Sequence, residues 1–399
     1  MIQESGMSQK ALFTSERFAQ EQAERMESSR GRLLVASCRS GSYLSTRVVK
    51  RYRDLLAEEG SETDILYLES VDDQFSDSET RVRLDLDVSG HDVFLFQALY
   101  DPTSGRSVDQ NYMAFLIAVR TFREWGANLV TAILPYLAYA RQDKPTKFMR
   151  EPTTAKLMAD LGIEAGIDRL VTWHPHCRQI HGFYGSTPVN MLESLALFAD
   201  AFRRFKGRED VIAVAPDAGA SKFVTYFGRA LNLRSAIASK YRPHPEEAVV
   251  SEIIGDFAGK SIAIVLDDMI SSGGTVYALI KKLVEEKGIE EIHLGASHNL
   301  CMERARERLS ELHADYHLKE VVVTNSIPQT DVFQALPFVS VRCLSDIFTR
   351  VINRIHFNRS VVLSRKELRE LRERVFRGEI ITFDVPENAV NPLLREEEE

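Results

Sequence analysis

Short apolar runs alternate with amphipathic segments along most of the chain. The amphipathic segments repeat their apolar residues every three or four positions, as in a helix with one buried face. The apolar runs are short and continuous, which is typical of strands buried on both faces of a parallel sheet. The predicted strands lie at 33–37, 65–68, 93–97 and 129–135, and then at 211–215, 236–239, 262–266, 292–296 and 321–324.

Helices predicted between these strands define the fold class. Two of them carry apolar stripes at 44–55 and 108–125. Strands that alternate with helices form mainly parallel sheets with helices on both faces. We therefore expect an α/β protein with two tandem doubly wound domains. Their expected bounds are 31–192 and 193–345, preceded by a polar extension at 1–30 and followed by a helix and a solvated acidic tail at 346–399.

The clearest candidate site follows the strand predicted at 262–266. Asp267 and Asp268 come directly after that strand, and a turn of small residues then leads into a helix. Unpaired amides and the helix dipole at such a turn attract a phosphate group. Two neighbouring carboxylates can hold vicinal hydroxyls or reach a magnesium ion. The turn residues are Ser271, Ser272, Gly273, Gly274 and Thr275. This order favours a pentose 5-phosphate, and the alternative is an acidic loop that only caps the helix.

Two further stretches end predicted strands of the first half, where open α/β sheets bind ligands. After 129–135 the chain carries several polar and basic side chains, which suit either nucleotide phosphates or a solvated basic loop. They are Arg141, Gln142, Asp143, Lys144, Lys147 and Arg150. The second stretch holds His174 and His176, which face the same way on an extended backbone. This pair suits a metal or phosphate contact, although a single histidine more often packs or caps.

Two stretches of the second half add candidate residues. Asp217 precedes a run of small residues and so repeats the order of acid and turn, although a simple helix cap is the alternative for it. Lys240 and Arg242 follow the strand predicted at 236–239 and enter a polar loop. Two cations on a mobile loop near a phosphate site could close over a transferring phosphoryl group.

Composition narrows the class of protein and its partners. With 399 residues, of which 44% are hydrophobic and 27% charged, the chain has room for two globular domains. Its net charge of -8 argues against a nucleic-acid surface. No apolar run approaches the ~20 residues of a membrane span, and the N-terminus lacks an apolar signal core, so we expect a cytoplasmic protein. The cysteines form no paired motif, which indicates reduced thiols more than disulfides or a zinc site.

In combination, these stretches resemble the ribose-phosphate pyrophosphokinase family from about residue 37 to 361. The matching segments are 74–79, 139–143, 150–152 with 155–156, 176 with 179–183, 216–219, 240–242, 267–269 with 273–275, and 323–328. Several ordered motifs are more specific than any single one. The resemblance implies two phosphoribosyltransferase-type domains. It also implies magnesium-dependent transfer of the β,γ-diphosphoryl group of ATP to the anomeric hydroxyl of ribose 5-phosphate, which gives phosphoribosyl pyrophosphate and AMP.

The resemblance also implies a role for each matching residue. Phe75, Asp77 and Glu79 would meet the adenine across a subunit contact, which requires a homo-oligomer. Arg141, Gln142, Asp143 and His176 would hold ATP, and His176 and Asp217 would serve a metal-linked phosphate site. Asp267 and Asp268 would take the ribose hydroxyls, and Ser271, Ser272, Gly273, Gly274 and Thr275 the 5-phosphate. Lys240 and Arg242 would stabilise the charge on the transferring group.

The chain departs from the family pattern in five places, which affect regulation and acceptor choice. His174 replaces a usual aspartate, Ser271 another aspartate, and Ser78 a glycine. The stretch 98–107 is longer than the matching turn, which contributes to an allosteric site in relatives, and 297–300 differs as well.

Three other functions remain alternatives. The first is the same transfer to a larger ribose acceptor such as ADP-ribose. The second is a catalytically weak regulatory paralogue, against which the retained Lys240 and Arg242 argue. The third is a base-transferring phosphoribosyltransferase, which leaves the ATP-type motifs of the first half unexplained.

Overall fold

Sixteen strands are found in the described part of the chain, which covers residues 26–244 and 247–361 of a computed structural model. In the first half they are β1 (Glu27–Ser28), β2 (Gly31–Ser37), β3 (Leu66–Leu68), β4 (Asp72–Gln74), β5 (Thr80–Val82), β6 (His91–Phe96), β7 (Leu129–Leu134), β8 (Arg169–Trp173) and β9 (Val189–Leu192). In the second half they are β10 (Val211–Ala215), β11 (Arg234–His244), β12 (Glu247–Ile254), β13 (Ile262–Ile270), β14 (Glu291–Asn299), β15 (Leu318–Thr324) and β16 (Val339–Arg342).

Helices connect most of these strands. They are α1 (Ser42–Glu58), α2 (Val108–Glu124), α3 (Thr154–Ala165), α4 (Leu195–Ala201), α5 (Ser221–Leu231), α6 (Gly274–Lys287), α7 (Glu303–Asp315), α8 (Asp331–Gln334) and α9 (Ser345–His356). The start of α2 illustrates how sequence sets a boundary. Ser107 accepts a hydrogen bond from the Gln110 amide and the Gln110 side chain accepts one from Ser107, which forms a capping box.

The strands form two separate sheets of seven, and a two-stranded hairpin of β4 and β5 lies apart from them. The first sheet has the order β1-β2-β6-β7-β8-β9, with β3 also paired to β2, and only β1 runs antiparallel to its neighbour. The second has the order β12-β11-β10-β13-β14-β15-β16, and only β12 runs antiparallel. The predicted α/β fold with two mainly parallel sheets is confirmed.

The region after β10 differs from the sequence prediction. The strand predicted at 236–239 continues as β11 through His244 and pairs with β12, so Tyr241 lies opposite Val249. Lys240 and Arg242 therefore lie on a strand of a hairpin, and their predicted placement in a loop is wrong. The proline and charged residues at 243–247 suggested a loop, but the run Glu247–Ile254 supplies a partner strand rich in β-branched residues.

The helix α9 returns to the first half of the chain after the second sheet is complete. Phe348 meets Phe96 of β6 edge to face, with ring centroids 6.1 Å apart. Asn353 donates to the Tyr52 hydroxyl at 2.7 Å, and Thr349 donates to the Val48 carbonyl at 3.1 Å, both on α1. Helix α9 thus ties the two halves together, and the predicted acidic tail beyond it lies outside the described residues, as does most of the extension at 1–30.

Candidate functional site

A cavity of about 1020 Å³ lies between the two halves and is lined by residues of both. Nine candidate residues from the sequence line it: Arg141, Asp143, Lys144, Lys147, His174 and His176 from the first half, and Asp217, Asp267 and Asp268 from the second. The contributing segments follow β7, β8 and β10 or end β13. These are the carboxyl ends of parallel strands, where open α/β sheets bind ligands.

A hydrogen bond across the two halves closes one side of the cavity. Nδ1 of His176 donates to Oδ2 of Asp268 at 2.5 Å. Asp267 and Asp268 lie within β13, which extends to Ile270 and not only to the predicted end at 266. Both aspartates are partly buried, and Asp267 pairs with Ala296 of the neighbouring strand β14.

The protonation states of His176, Asp267 and Asp268 influence one another. Burial, together with repulsion from Asp268, raises the pKa of Asp267 well above its usual range. Against the opposing effect of burial, the hydrogen bond from His176 lowers the pKa of Asp268. The same hydrogen bond raises the pKa of His176 above its ordinary value. The cavity therefore presents a charged Asp268 beside a histidine that readily carries a proton, a pair suited to polar and anionic ligands.

This pair gives a pH-dependent contribution to stability. The raised pKa of His176 means that its bond stabilises the fold fully below the ordinary value of 6.5 and loses effect as pH rises through the higher folded value. We expect the melting temperature of His176→Gln to lie below that of the wild type near neutral pH, with a gap that narrows as pH increases. Thermal unfolding measured across this range checks it. His181→Gln, on the adjacent exposed segment, serves as the control, and a gap independent of pH contradicts the assignment.

The Asp217 turn lines the cavity on the side of the second half. Oδ1 of Asp217 accepts from the amides of Gly219 at 2.8 Å and Ala220 at 3.2 Å, just before α5 begins. The helix-cap alternative is not found, because the N-cap residue of α5 is Ala220 and no described side chain caps this helix. Asp217 instead closes the turn ahead of the helix and lines the cavity.

The predicted phosphate turn lies next to β13 at the start of α6. Gly273 has a φ of +73°, a backbone conformation that residues with a Cβ rarely adopt, so this position of the turn favours glycine. Arg308 of α7 donates to the Ser272 carbonyl at 2.8 Å and supports the turn. Sequence reasoning missed Arg308, since nothing in its helical stripe marks it as different from its neighbours.

The basic stretch after β7 lines the part of the cavity that the first half of the chain forms. Gln179 donates to Oδ2 of Asp143 at 2.6 Å, and Lys144 lies 4.0 Å from the same oxygen. Arg141, Lys144 and Lys147 all line the cavity. Gln142, by contrast, accepts from Thr154 at the start of α3 and is not among the lining residues.

The two histidines of the stretch after β8 do not share an environment. His174 has a φ of +36°, so the backbone is not extended and the predicted common orientation is wrong. Nδ1 of His174 hydrogen-bonds the hydroxyls of Ser194, at 2.7 Å, and of Ser297; the ring contacts Phe223, and burial lowers the pKa of His174 to about 4. His174 is therefore a neutral, packed residue, whereas His176 is the exposed partner of Asp268.

Several predicted residues lie apart from the cavity lining. Phe75, Asp77 and Glu79 occupy the turn between β4 and β5, where the Phe75 side chain is 49% exposed and Arg81 lies 5.2 Å from its ring centre. Ser78 in this turn has a φ of +74°, a conformation that suits the glycine usual in the family. The turn residues Ser271, Ser272, Gly273, Gly274 and Thr275 are also absent from the lining. The side chains of Lys240 and Arg242 lie outside the described part.

The cavity also contains residues that the sequence did not single out. Lys222, Phe223 and Tyr226 of α5 line it, together with Arg178 and Glu193. The sequence does contain a signal for the α5 residues. A helix that follows an acidic residue and a turn of small residues begins close to that acidic residue, here Asp217. Arg178 and Glu193 form an ion pair across the rim.

The sequence is similar to known protein families over most of its length. Residues 33–166 match the N-terminal domain of ribose phosphate pyrophosphokinase, and residues 224–365 match the phosphoribosyl synthetase-associated domain. The ribose-phosphate pyrophosphokinase of Caldanaerobacter subterraneus subsp. tengcongensis is 38% identical over 287 residues, which cover 72% of this chain and 86% of that protein. The same-named protein of Clostridium acetobutylicum is 38% identical over 284 residues, which cover 71% and 85% respectively.

A solved structure shares the fold. The crystal structure of phosphoribosylpyrophosphate synthetase from Mycobacterium smegmatis matches with a TM-score of 0.70 and 29% sequence identity. The match covers 82% of this chain and 99% of that chain.

Proposed function

This chain belongs to the ribose-phosphate pyrophosphokinase family, and we propose that the cavity between its two halves transfers the β,γ-diphosphoryl group of ATP to the anomeric hydroxyl of ribose 5-phosphate. One observation carries the proposal: the cavity brings the basic stretch of the first half against the aspartates of the second. The sheet of residues 27–192 then forms the ATP side, and the sheet of residues 211–342 forms the ribose side.

The ribose side binds and orients the acceptor. Asp268 is charged and accepts hydrogen bonds, so it holds the ribose hydroxyls together with Asp267. The amides of the turn from Ser271 to Thr275 take the 5-phosphate at the positive end of α6. Fixing both ends of the sugar places its anomeric oxygen for attack on the β-phosphorus of ATP.

The ATP side supplies positive charge. Arg141, Lys144 and Lys147 line the cavity and bind the phosphates, while Asp143 is held in place by Gln179. As the anomeric oxygen bonds to the β-phosphorus, the bond to the α-phosphate oxygen breaks and AMP leaves. Lys240 and Arg242, on the hairpin strand β11 beside β10, stabilise the negative charge spread over the transferring group.

The donor chemistry of the cavity fits magnesium that arrives with ATP. Among the described residues, no three of the types His, Cys, Asp and Glu gather to hold an ion by themselves. Magnesium, however, commonly needs only one or two carboxylates besides the substrate phosphates. Asp217 and His176 would hold such a metal-linked phosphate, with His176 acting through Nε2 because Nδ1 is bonded to Asp268. When bound, the ion neutralises charge on the phosphates.

The substrates can be tested directly. The purified protein is incubated with ATP, magnesium and ribose 5-phosphate, and the products are separated and followed by phosphorus NMR. We expect AMP and phosphoribosyl pyrophosphate in equal amounts. Release of AMP without a diphosphorylated sugar contradicts the proposal.

We also propose that the adenine site is completed by a second copy of the chain. The turn with Phe75, Asp77 and Glu79 is exposed and lies outside the cavity lining, so it is available to the nucleotide of a neighbouring subunit. Phe75→Ala should raise the KM for ATP, because base stacking on an aromatic ring contributes about 1–3 kcal/mol. At an ATP concentration below the raised KM, mixed oligomers of Phe75→Ala and Lys240→Ala subunits should be more active than either variant alone, since each subunit supplies what the other lacks. Failure to complement, while each homo-oligomer remains intact, contradicts the shared site.

The thiols agree with a cytoplasmic location, which we propose for this chain. The four cysteines, all within the described residues, are free, as expected in a reducing compartment. No described helix has both the length and the apolar character needed to cross a bilayer.

A further inference from the structure

His298, at the end of β14, binds the backbone of the segment that carries His176. Its Nε2 donates to the carbonyl oxygen of His174 at 3.0 Å, and this bond crosses from the second sheet to the first half of the chain. Ser297, its neighbour on β14, hydrogen-bonds the His174 ring. Both ends of His174, carbonyl and imidazole, are thus held by one strand of the other half.

The hydrogen-bond partners fix the tautomer of His298. A carbonyl oxygen can only accept, so Nε2 carries the proton. Burial lowers the pKa of His298 to about 4, so the ring is neutral near pH 7 and Nδ1 accepts from Ser326 Oγ at 2.8 Å. The ring also packs against Tyr136, with centroids 5.1 Å apart. Hydrogen bonds at both ring nitrogens and the contact with Tyr136 therefore hold the His298 ring in a single orientation.

The segment that His298 holds is strained. His174 has a left-handed backbone with a φ of +36°, which is unfavourable for a residue with a Cβ and persists only where neighbours fix it. Its N–H donates to Leu192 at 2.8 Å, and its carbonyl bonds His298. Two residues later, His176 reaches Asp268 of β13, the strand adjacent to β14. The bent segment 174–176 therefore docks on two neighbouring strands of the second sheet.

We propose that His298 is a positioning residue for diphosphoryl transfer, which holds the segment 174–176 on the second sheet so that His176 stays beside Asp268. The inference rests on the proposed function of the cavity. His298 itself acts through the His174 carbonyl, and it sets how the ATP side and the ribose side face each other. A shift of about 1 Å between reacting groups can cost about 100-fold in rate, so loss of this bond should affect turnover more than binding of the sugar.

Two substitutions that differ by one methylene group separate positioning from packing. In His298→Gln, the amide nitrogen can occupy the place of Nε2 and donate to His174, whereas the shorter side chain of His298→Asn cannot reach it. We expect kcat of His298→Asn to fall by about 10-fold to 100-fold, with the KM for ribose 5-phosphate unchanged, and His298→Gln to stay close to the wild type. His313→Leu is the matched control, because it loses a similar bond to the Leu318 carbonyl within the second half.

A second measurement does not depend on activity. Hydrogen–deuterium exchange of the peptide 171–177 should become faster in His298→Asn and stay as in the wild type in His298→Gln and His313→Leu. Equal kcat for His298→Asn and the wild type, or equal losses in both His298 variants, overturns the inference. If the wild type transfers no diphosphoryl group, the proposed function fails, and unchanged exchange in His298→Asn would still separately disprove the docking role.

Discussion

Replacing Asp268 by asparagine should lower kcat/KM for ribose 5-phosphate by about 100-fold. The substitution removes the charge that accepts the bond from His176 and that, in the proposed function, holds the sugar; one hydrogen bond to a charged group contributes about 3 kcal/mol. Steady-state kinetics with ribose 5-phosphate varied at saturating ATP measure the change. The pKa of His176 should also move down towards its ordinary value, because its main cause is removed.

The matched control for this variant is Asp315→Asn at the end of α7, an exposed aspartate outside the cavity lining. It changes the net charge of the chain by the same amount and should leave kcat/KM unaltered. Equal activity of Asp268→Asn and Asp315→Asn would show that Asp268 does not hold the acceptor.

Replacing Lys240 by alanine should reduce kcat by about 100-fold to 1000-fold with little change in the KM for ribose 5-phosphate. Preorganised positive charge acts mainly on the charge that develops in the transition state, and loss of one such donor has an effect of this size. The backbone position of Lys240 on β11, next to β10 and its Asp217 turn, is consistent with this role. Initial rates with both substrates varied separate kcat from KM.

Lys260→Ala, in the turn before β13, is the control because it removes the same charge from the same half of the chain. Unchanged turnover in Lys240→Ala would support the alternative of a regulatory paralogue, whose function would lie in a complex with an active synthase. A similar loss in both variants would instead indicate a general effect of charge.

The sequence predicts the fold class and the strands near the site well, because buried parallel strands are continuous apolar runs. The strand at 211–215 is confirmed to the residue as β10, and the three aspartates of the acid-and-turn pattern, Asp217, Asp267 and Asp268, line one cavity. Hydrophobic periodicity predicts these elements because the apolar run of a strand and the apolar stripe of a helix both follow directly from which residues are buried.

The features that the sequence did not predict depend on contacts between residues that are distant in the chain. The hairpin of β11 and β12 forms through pairing between its two strands, whereas the prolines near its turn favoured the prediction of a loop. The orientation of His174 depends on Ser194 and His298, which lie far away in the chain. The return of α9 to α1 is likewise set by tertiary packing, since its apolar stripe fits either half.

A crystal structure with ribose 5-phosphate and a non-hydrolysable ATP analogue tests the central claim most directly. We expect the sugar phosphate on the amides of Ser271 to Thr275, its hydroxyls on Asp267 and Asp268, and the β-phosphorus of the analogue facing the anomeric oxygen from the side of Arg141. A sugar phosphate bound elsewhere, or the two ligands held too far apart to react in any closed state, would contradict the assignment.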